Sequence, residues 1–156
     1  MDKFEQDELT GRSWFKGFVK QLKVDTTWQP TTGKYDFVDG YVVQDNKKAA
    51  VEIKTRTPAY VKFSSHWIEL DKYMNLTKAK IDGNCSKAWY VNFFGKDVMY
   101  IYDLKHISTT TCPLIKKWVP KTTAVNNGYE YKQFLDIPTK YAIRFERVNN
   151  KWTRVN

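Results

Sequence analysis

The chain has 156 residues, with 26 Lys and Arg against 17 Asp and Glu, a net charge of +9, and nine Phe, six Trp and ten Tyr. That length favours one domain, the abundance of core-building side chains excludes intrinsic disorder, and no apolar run is long enough to span a bilayer. Two His and two Cys, Cys85 and Cys112, in no ligand spacing exclude a structural zinc site; free thiols in a reducing compartment are expected, with a single disulfide left open.

The first segment, residues 2–23, reads as a helix, since Phe15, Phe18, Val19 and Leu22 repeat at helical spacing. Phe4 and Glu8 extrapolate to the same face, and Gly11 is a candidate break. Residues 24–28 read as a short strand stopped by Gln29-Pro30 and the Thr31-Thr32-Gly33 turn. Residues 35–43 and 49–55 read as two strands of a hairpin turning at Gln44-Asp45-Asn46-Lys47 and ended by Thr57-Pro58. Ser64 or Ser65 is the candidate cap of a second helix running to about Asp82, with Trp67, Leu70, Met74, Thr77 and Ile81 as its apolar face and Gly83-Asn84 as its stop. Strands follow at 88–94 and 98–104 around a Gly95-Lys96-Asp97 turn, then at about 114–119, 129–137 and 141–148. The order of helix, strands, helix, strands defines an α/β (α+β) layered domain spanning residues 1–156.

Charge is uneven along this order. Residues 104–156 hold ten bases and three acids, whereas residues 1–40 hold six bases and seven acids. A basic excess suits a polyanion, although a solvated surface has the same look. The strand at 49–55 carries the strongest chemical signal: Val51, Ile53 and Thr55 alternate with Glu52, Lys54 and Arg56. Three charges on one side of an apolar strand are costly if buried, unless that face holds an ion and a phosphate. With the turn centred between Asp45 and Asn46, Asp39 opposes Glu52, Tyr41 opposes Ala50 and Phe37 opposes Lys54. Two carboxylates and a lysine then share a face, an oxygen-rich setting for a hard divalent cation. A turn one residue different would bring Asp36 there instead. The tripeptide Glu130-Tyr131-Lys132, after the Asn126-Asn127-Gly128 turn, repeats the Glu-x-Lys pattern without an opposing acid, so the tripeptide alone is a weak signal.

Asp39-Gly40-Tyr41-Val42-Val43 followed by Ala50-Val51-Glu52-Ile53-Lys54-Thr55-Arg56 resembles the PD-(D/E)XK nuclease superfamily, over about residues 1–104. The resemblance is closest to small phage-type members, which often have a Lys-Tyr pair where this chain has Lys72-Tyr73. It departs from the family pattern at Val38, where the motif has proline, and at Glu69, where some members begin a Gln-x-x-x-Tyr motif. It implies a restriction-endonuclease-like core, with a central mixed sheet flanked by two helices in the order αβββαβ. The extra C-terminal strands of residues 105–156 lie outside that core. It further implies a nuclease that hydrolyses phosphodiester bonds, with DNA the expected substrate. Mg²⁺, for which Mn²⁺ can substitute, would be held by Asp39, Glu52 and the Ile53 carbonyl, and Lys54 would act on the attacking water. Arg56 and Lys72 would contact substrate phosphates, and Glu8 is a further candidate ligand.

A catalytically inactive nucleic-acid- or protein-binding module on the same fold is the alternative, and an all-β small-ligand binder a third. The expected setting is the cytoplasm, the host's if the chain is phage-encoded. No apolar signal core follows Met1, and a homodimer is left open by the resemblance.

Overall fold

A computed structural model describes residues 3–32, 36–121 and 128–156, leaving aside the Phe4 side chain. The expectations for Phe4, Gly33, the start of the strand at Tyr35 and the Asn126-Asn127 turn lie outside the described residues. Helix α1 spans Lys3–Gln21, followed by β1 (Thr27–Pro30), β2 (Gly40–Gln44), β3 (Lys47–Arg56), a short 3-10 helix at Pro58–Lys62 and β4 (Ser65–Glu69). Helix α2 (Leu70–Asp82) leads to β5 (Lys87–Phe94), β6 (Val98–Asp103), β7 (Leu114–Pro120), β8 (Tyr129–Pro138), β9 (Ala142–Val148) and β10 (Lys151–Arg154).

Seven strands form a mixed sheet in the order β1-β2-β3-β5-β6-β9-β10, and β4-β8-β7 form a second, smaller sheet. Strands β3 and β5 run parallel, as a crossover through α2 requires. The result is an α+β fold with a central mixed sheet and two helices, as expected. Residues beyond 104 divide between the sheets: β9 and β10 extend the large one, while β7 and β8 pair with β4.

Alternation along β3 separates two cores. Val51 joins Phe15, Phe18 and Val19 of α1, together with Val91, Phe93, Met99 and Trp152, on one face of the large sheet. On the other face Ala50 joins Leu76 and Ala79 of α2, Ile68 of β4, and Leu135 and Ile137 of β8. The charged residues of β3 share this second face. Gly11 does not break α1. A Cβ there would stand 3.0 Å from the methyls of both Ile53 and Thr55, so the glycine lets the helix cross β3 closely.

Four expectations need correction. The first strand begins at Thr27 and includes Gln29 and Pro30, because proline is tolerated on a sheet edge. Strand β2 begins at Gly40, and residues 36–39 are irregular. Residues 65–69 are not helix: they alternate half-buried and buried and pair with β8 some seventy residues away, so α2 starts at Leu70. Its buried face is Leu76 and Ala79, leaving Met74 and Ile81 exposed. Both cysteines are free thiols.

The two glycines of α1 make a differential test. Gly17, where an added Cβ would have no atom within 4 Å, gains about 0.5–1 kcal/mol of stability on Gly17→Ala. Gly11→Ala loses that gain to the clash with β3. Urea denaturation of the two variants beside the wild type measures the difference, and an equal gain at both sites would contradict the close packing.

Candidate active site

The hairpin that builds the site has the register expected from its sequence. Asp45 and Asn46 take positive φ values of 49° and 65°, the backbone of a two-residue turn whose twist suits a hairpin. Gly40 then faces Val51, Tyr41 faces Ala50 and Gln44 faces Lys47. Regular pairing stops at Gly40. Asp39 stands one residue further on, its N–H donating to the Val51 carbonyl at 3.0 Å and its carbonyl accepting from the Thr31 N–H at 2.9 Å. Gly40 is required there: a Cβ would lie 2.6 Å from the Gln29 carbonyl oxygen. The chain turns away before Phe37, which therefore does not face Lys54; its ring is exposed and lies under the Lys78 ammonium at 4.7 Å.

Asp39 and Glu52 are both buried, 5% and 8% exposed, and both line a cavity of about 200 Å³ between α1, the end of β3, β4 and α2. Lys54, Arg56, Lys72, Glu69, Tyr90, Asp7 and Glu8 line it as well. Asp36, the alternative acid, is not part of this cavity. Glu8 reaches the cavity wall with an exposed side chain, next to the half-buried Asp7.

Each buried carboxylate has a cation of its own. Arg12 donates from Nε and Nη2 to Asp39 Oδ1 at 3.2 and 3.1 Å, and from Nη1 to the Thr31 carbonyl at 2.8 Å. The other oxygen, Oδ2, accepts from the Ile53 N–H at 2.7 Å. Lys72 Nζ lies 3.1 Å from Glu52 Oε1. Burial, and then the negative charge of Asp39, push the Glu52 carboxyl up to about 8 despite Lys72. Burial pulls Lys72 down, but Glu52 outweighs it and holds the ammonium above its ordinary value. Lys54 is lowered, by burial first and then by the neighbouring Arg56.

Arg56 faces inward. Its Nε donates to Asn92 Oδ1 at 2.6 Å, and its Nη2 donates to the Tyr90 hydroxyl and the Trp67 carbonyl. The guanidinium thus braces β3 against β5 and β4. Arg12, Asp7, Tyr90 and Trp67 belong to the site without any sequence signal that marks them for it. Glu69, notable in the sequence only as a departure from a motif, lines the cavity and pairs with Lys132 at 3.4 Å. Tyr73 points away, donating to the Ile107 carbonyl.

The residues present fit a hard divalent cation. Two carboxylates share a pocket in which one is forced towards its neutral form by burial and by the other, and a divalent charge relieves that conflict. An N–H and C=O of one strand residue point the same way, so the Ile53 carbonyl is directed to the side on which its N–H meets Asp39. Among the described residues no three His, Cys, Asp or Glu side chains form a cluster enclosing an ion. A donor set of two carboxylates and a carbonyl, completed by water, suits Mg²⁺ better than a transition metal.

No protein-family model matches this sequence, and no curated protein matches it significantly. Among solved structures the chain is similar to Archaeoglobus fulgidus Hjc, a Holliday junction resolvase from an archaeal hyperthermophile. The TM-score is 0.51 at 13% identity, over 85% of this chain and 87% of that one. The chain therefore shares the fold of that structure, the restriction-endonuclease-like fold that the sequence resemblance implies. At this identity the likeness concerns the fold alone. No described helix is long and apolar enough to cross a membrane.

The raised Glu52 sets a pH test. A carboxyl that is harder to ionise in the folded state costs nothing below pH 4.5 and destabilises increasingly as pH rises to about 8. In EDTA, Glu52→Gln therefore gains stability relative to the wild type across that window, and thermal melts at both ends measure it. A difference independent of pH would contradict the assignment. Arg12→Ala, which strips a buried carboxylate of its partner, costs about 1–3 kcal/mol, and less in millimolar Mg²⁺ than in EDTA.

Proposed function

We propose that this chain is a divalent-metal-dependent nuclease that hydrolyses phosphodiester bonds in DNA. The observation that carries the reading is the meeting of two buried carboxylates, Asp39 and Glu52, with a partly desolvated Lys54 in one cavity. A structural ion-pair network gives no reason to bury like charges together, whereas a cation site does.

Asp39, Glu52 and the Ile53 carbonyl would hold Mg²⁺, with Glu8 on the wall of the same cavity as a further candidate ligand. The ion supplies acidity to a bound water and polarises a phosphoryl oxygen. Lys54, on the strand face shared with Glu52, orients the attacking water and stabilises charge on the scissile phosphate. Burial, and then Arg56, lower its pKa from the ordinary lysine value. Lys72 carries a held positive charge beside Glu52 at the cavity wall, where it would contact a substrate phosphate. Arg56 acts as a brace that fixes the β3 end rather than as a phosphate ligand. The basic excess of residues 104–156 suits the polyanionic substrate, and free thiols suit a reducing cytoplasm.

One observation favours a second reading, a non-cleaving nucleic-acid-binding module. Arg12 and Lys72 already stand against both carboxyl groups. Incubation of the protein with labelled duplex, single-stranded and four-way-junction DNA, plus Mg²⁺ or Mn²⁺, separates the two. The nuclease reading expects cleavage that falls by about a hundredfold or more in both Glu52→Ala and Lys54→Ala while DNA binding persists. Binding without cleavage of any of the three substrates would leave the second reading standing and overturn the first.

A further inference from the structure

The segment that follows the site strand carries an unexplained aromatic pair. The 3-10 helix Pro58–Lys62 begins two residues after Arg56, and none of its residues is buried. Tyr60 and the nearby Phe63 are 49% and 51% exposed, and their rings stack on each other at 5.6 Å with 29° between planes. Two large rings held half in water do nothing for the core, and neighbouring exposed apolar rings mark a contact surface. They border a second cavity of about 470 Å³ whose other walls are Arg56, Trp67 and the segment from Ser64 to His66. Arg56 and Trp67 also line the carboxylate cavity, so the two spaces adjoin along a shared wall. From Thr57 to His66 the chain has one Lys, Lys62, and no acid.

We infer that Tyr60 and Phe63 form a stacking platform for an unpaired nucleobase beside the bond to be cleaved, so that the substrate carries an unpaired nucleotide there. This rests on the nuclease reading of the neighbouring site. A phosphate held by Lys54 has a base attached within one nucleotide, and the cavity next door is the place that base reaches. The cavity is mainly apolar with a few polar groups, the composition of a site for a flat aromatic ligand. Aromatic faces bind any base without reading its edges. A base inside a duplex has both faces covered by its neighbours, so only an unpaired or extruded base fits the platform. Ser64 and Ser65 add hydroxyls at the rim.

The test uses Lys54→Ala protein without divalent ions, so that binding is read apart from cleavage. Fluorescence anisotropy measures its affinity for a fully paired duplex and for the same duplex with a short unpaired gap; 2-aminopurine in the gap reports stacking. Adding Tyr60→Ala and Phe63→Ala weakens gapped-substrate binding about tenfold or more, abolishes quenching of the 2-aminopurine and leaves duplex binding unchanged. The ring-preserving pair Tyr60→Phe and Phe63→Tyr retains both signals. Equal loss on both substrates, no loss on either, or a ring-preserving pair as weak as the alanine pair would overturn the inference. Cleavage is scored separately with Lys54 intact. Ring-dependent binding without any cleavage removes the nuclease reading but keeps the platform. Cleavage indifferent to the ring substitutions removes the platform and keeps the nuclease.

Discussion

Two carboxylates that repel each other are held in one buried pocket, and much of the molecule is arranged around that conflict. Asp39 and Glu52 meet at the end of the hairpin, where regular pairing gives way at Gly40 and Asp39 is held by the Val51 carbonyl and the Ile53 N–H, and both are nearly removed from water. Burying like charges raises the proton affinity of at least one, and Glu52 carries the effect. The fold answers with a cation from each helix. Helix α1 brings Arg12 to Asp39, and α2 brings Lys72 to Glu52.

This ties the site to the packing. Arg12 reaches Asp39 because α1 lies close over β3, and α1 lies close because Gly11 has no side chain to meet Ile53 and Thr55. Farther along the helix, Gln21 exchanges hydrogen bonds with the Trp152 backbone in β10, anchoring α1 at the opposite edge of the sheet. On the other face α2 is seated by Leu76 and Ala79, which sets Lys72 over the pocket. The inward hydrogen bonds of Arg56 lock the end of β3 to β4 and β5.

Local signals are legible in the sequence, and distant ones are not. The register of β2 and β3 from Gly40 to Gln44 follows from a two-residue turn and strict alternation, whereas Asp39 lies beyond the ladder, its carboxylate held by Arg12 and the Ile53 N–H, so its expected place opposite Glu52 is not a ladder pairing. Strand β4 reads as helix because His66, Trp67 and Ile68 precede a true helix and their alternation spans only five residues. The partner that makes them a strand, β8, is far away in sequence. The face of α2 is misassigned for the same reason, since counting Trp67 as helical selects the stripe through Leu70, Met74, Thr77 and Ile81 over the one through Leu76 and Ala79. Arg12 has no local mark, because a lone arginine in a helix reads as solvated until tertiary structure sets it against an acid. Strand β10 is absent from the sequence reading although Asn149-Asn150, with φ values of 51° and 62°, forms the same kind of two-residue turn as Asp45-Asn46.

Whether the Asp39–Glu52 pocket is a divalent-cation site is tested most directly by calorimetric titration with Mg²⁺ or Mn²⁺. The expected result is one saturable site near pH 7 that is lost in Glu52→Gln and retained in Asp36→Asn. Its enthalpy varies with the ionisation enthalpy of the buffer, because binding expels the proton that Glu52 holds up to about pH 8. Absence of saturable binding, or binding unchanged by Glu52→Gln, would contradict a cation site there.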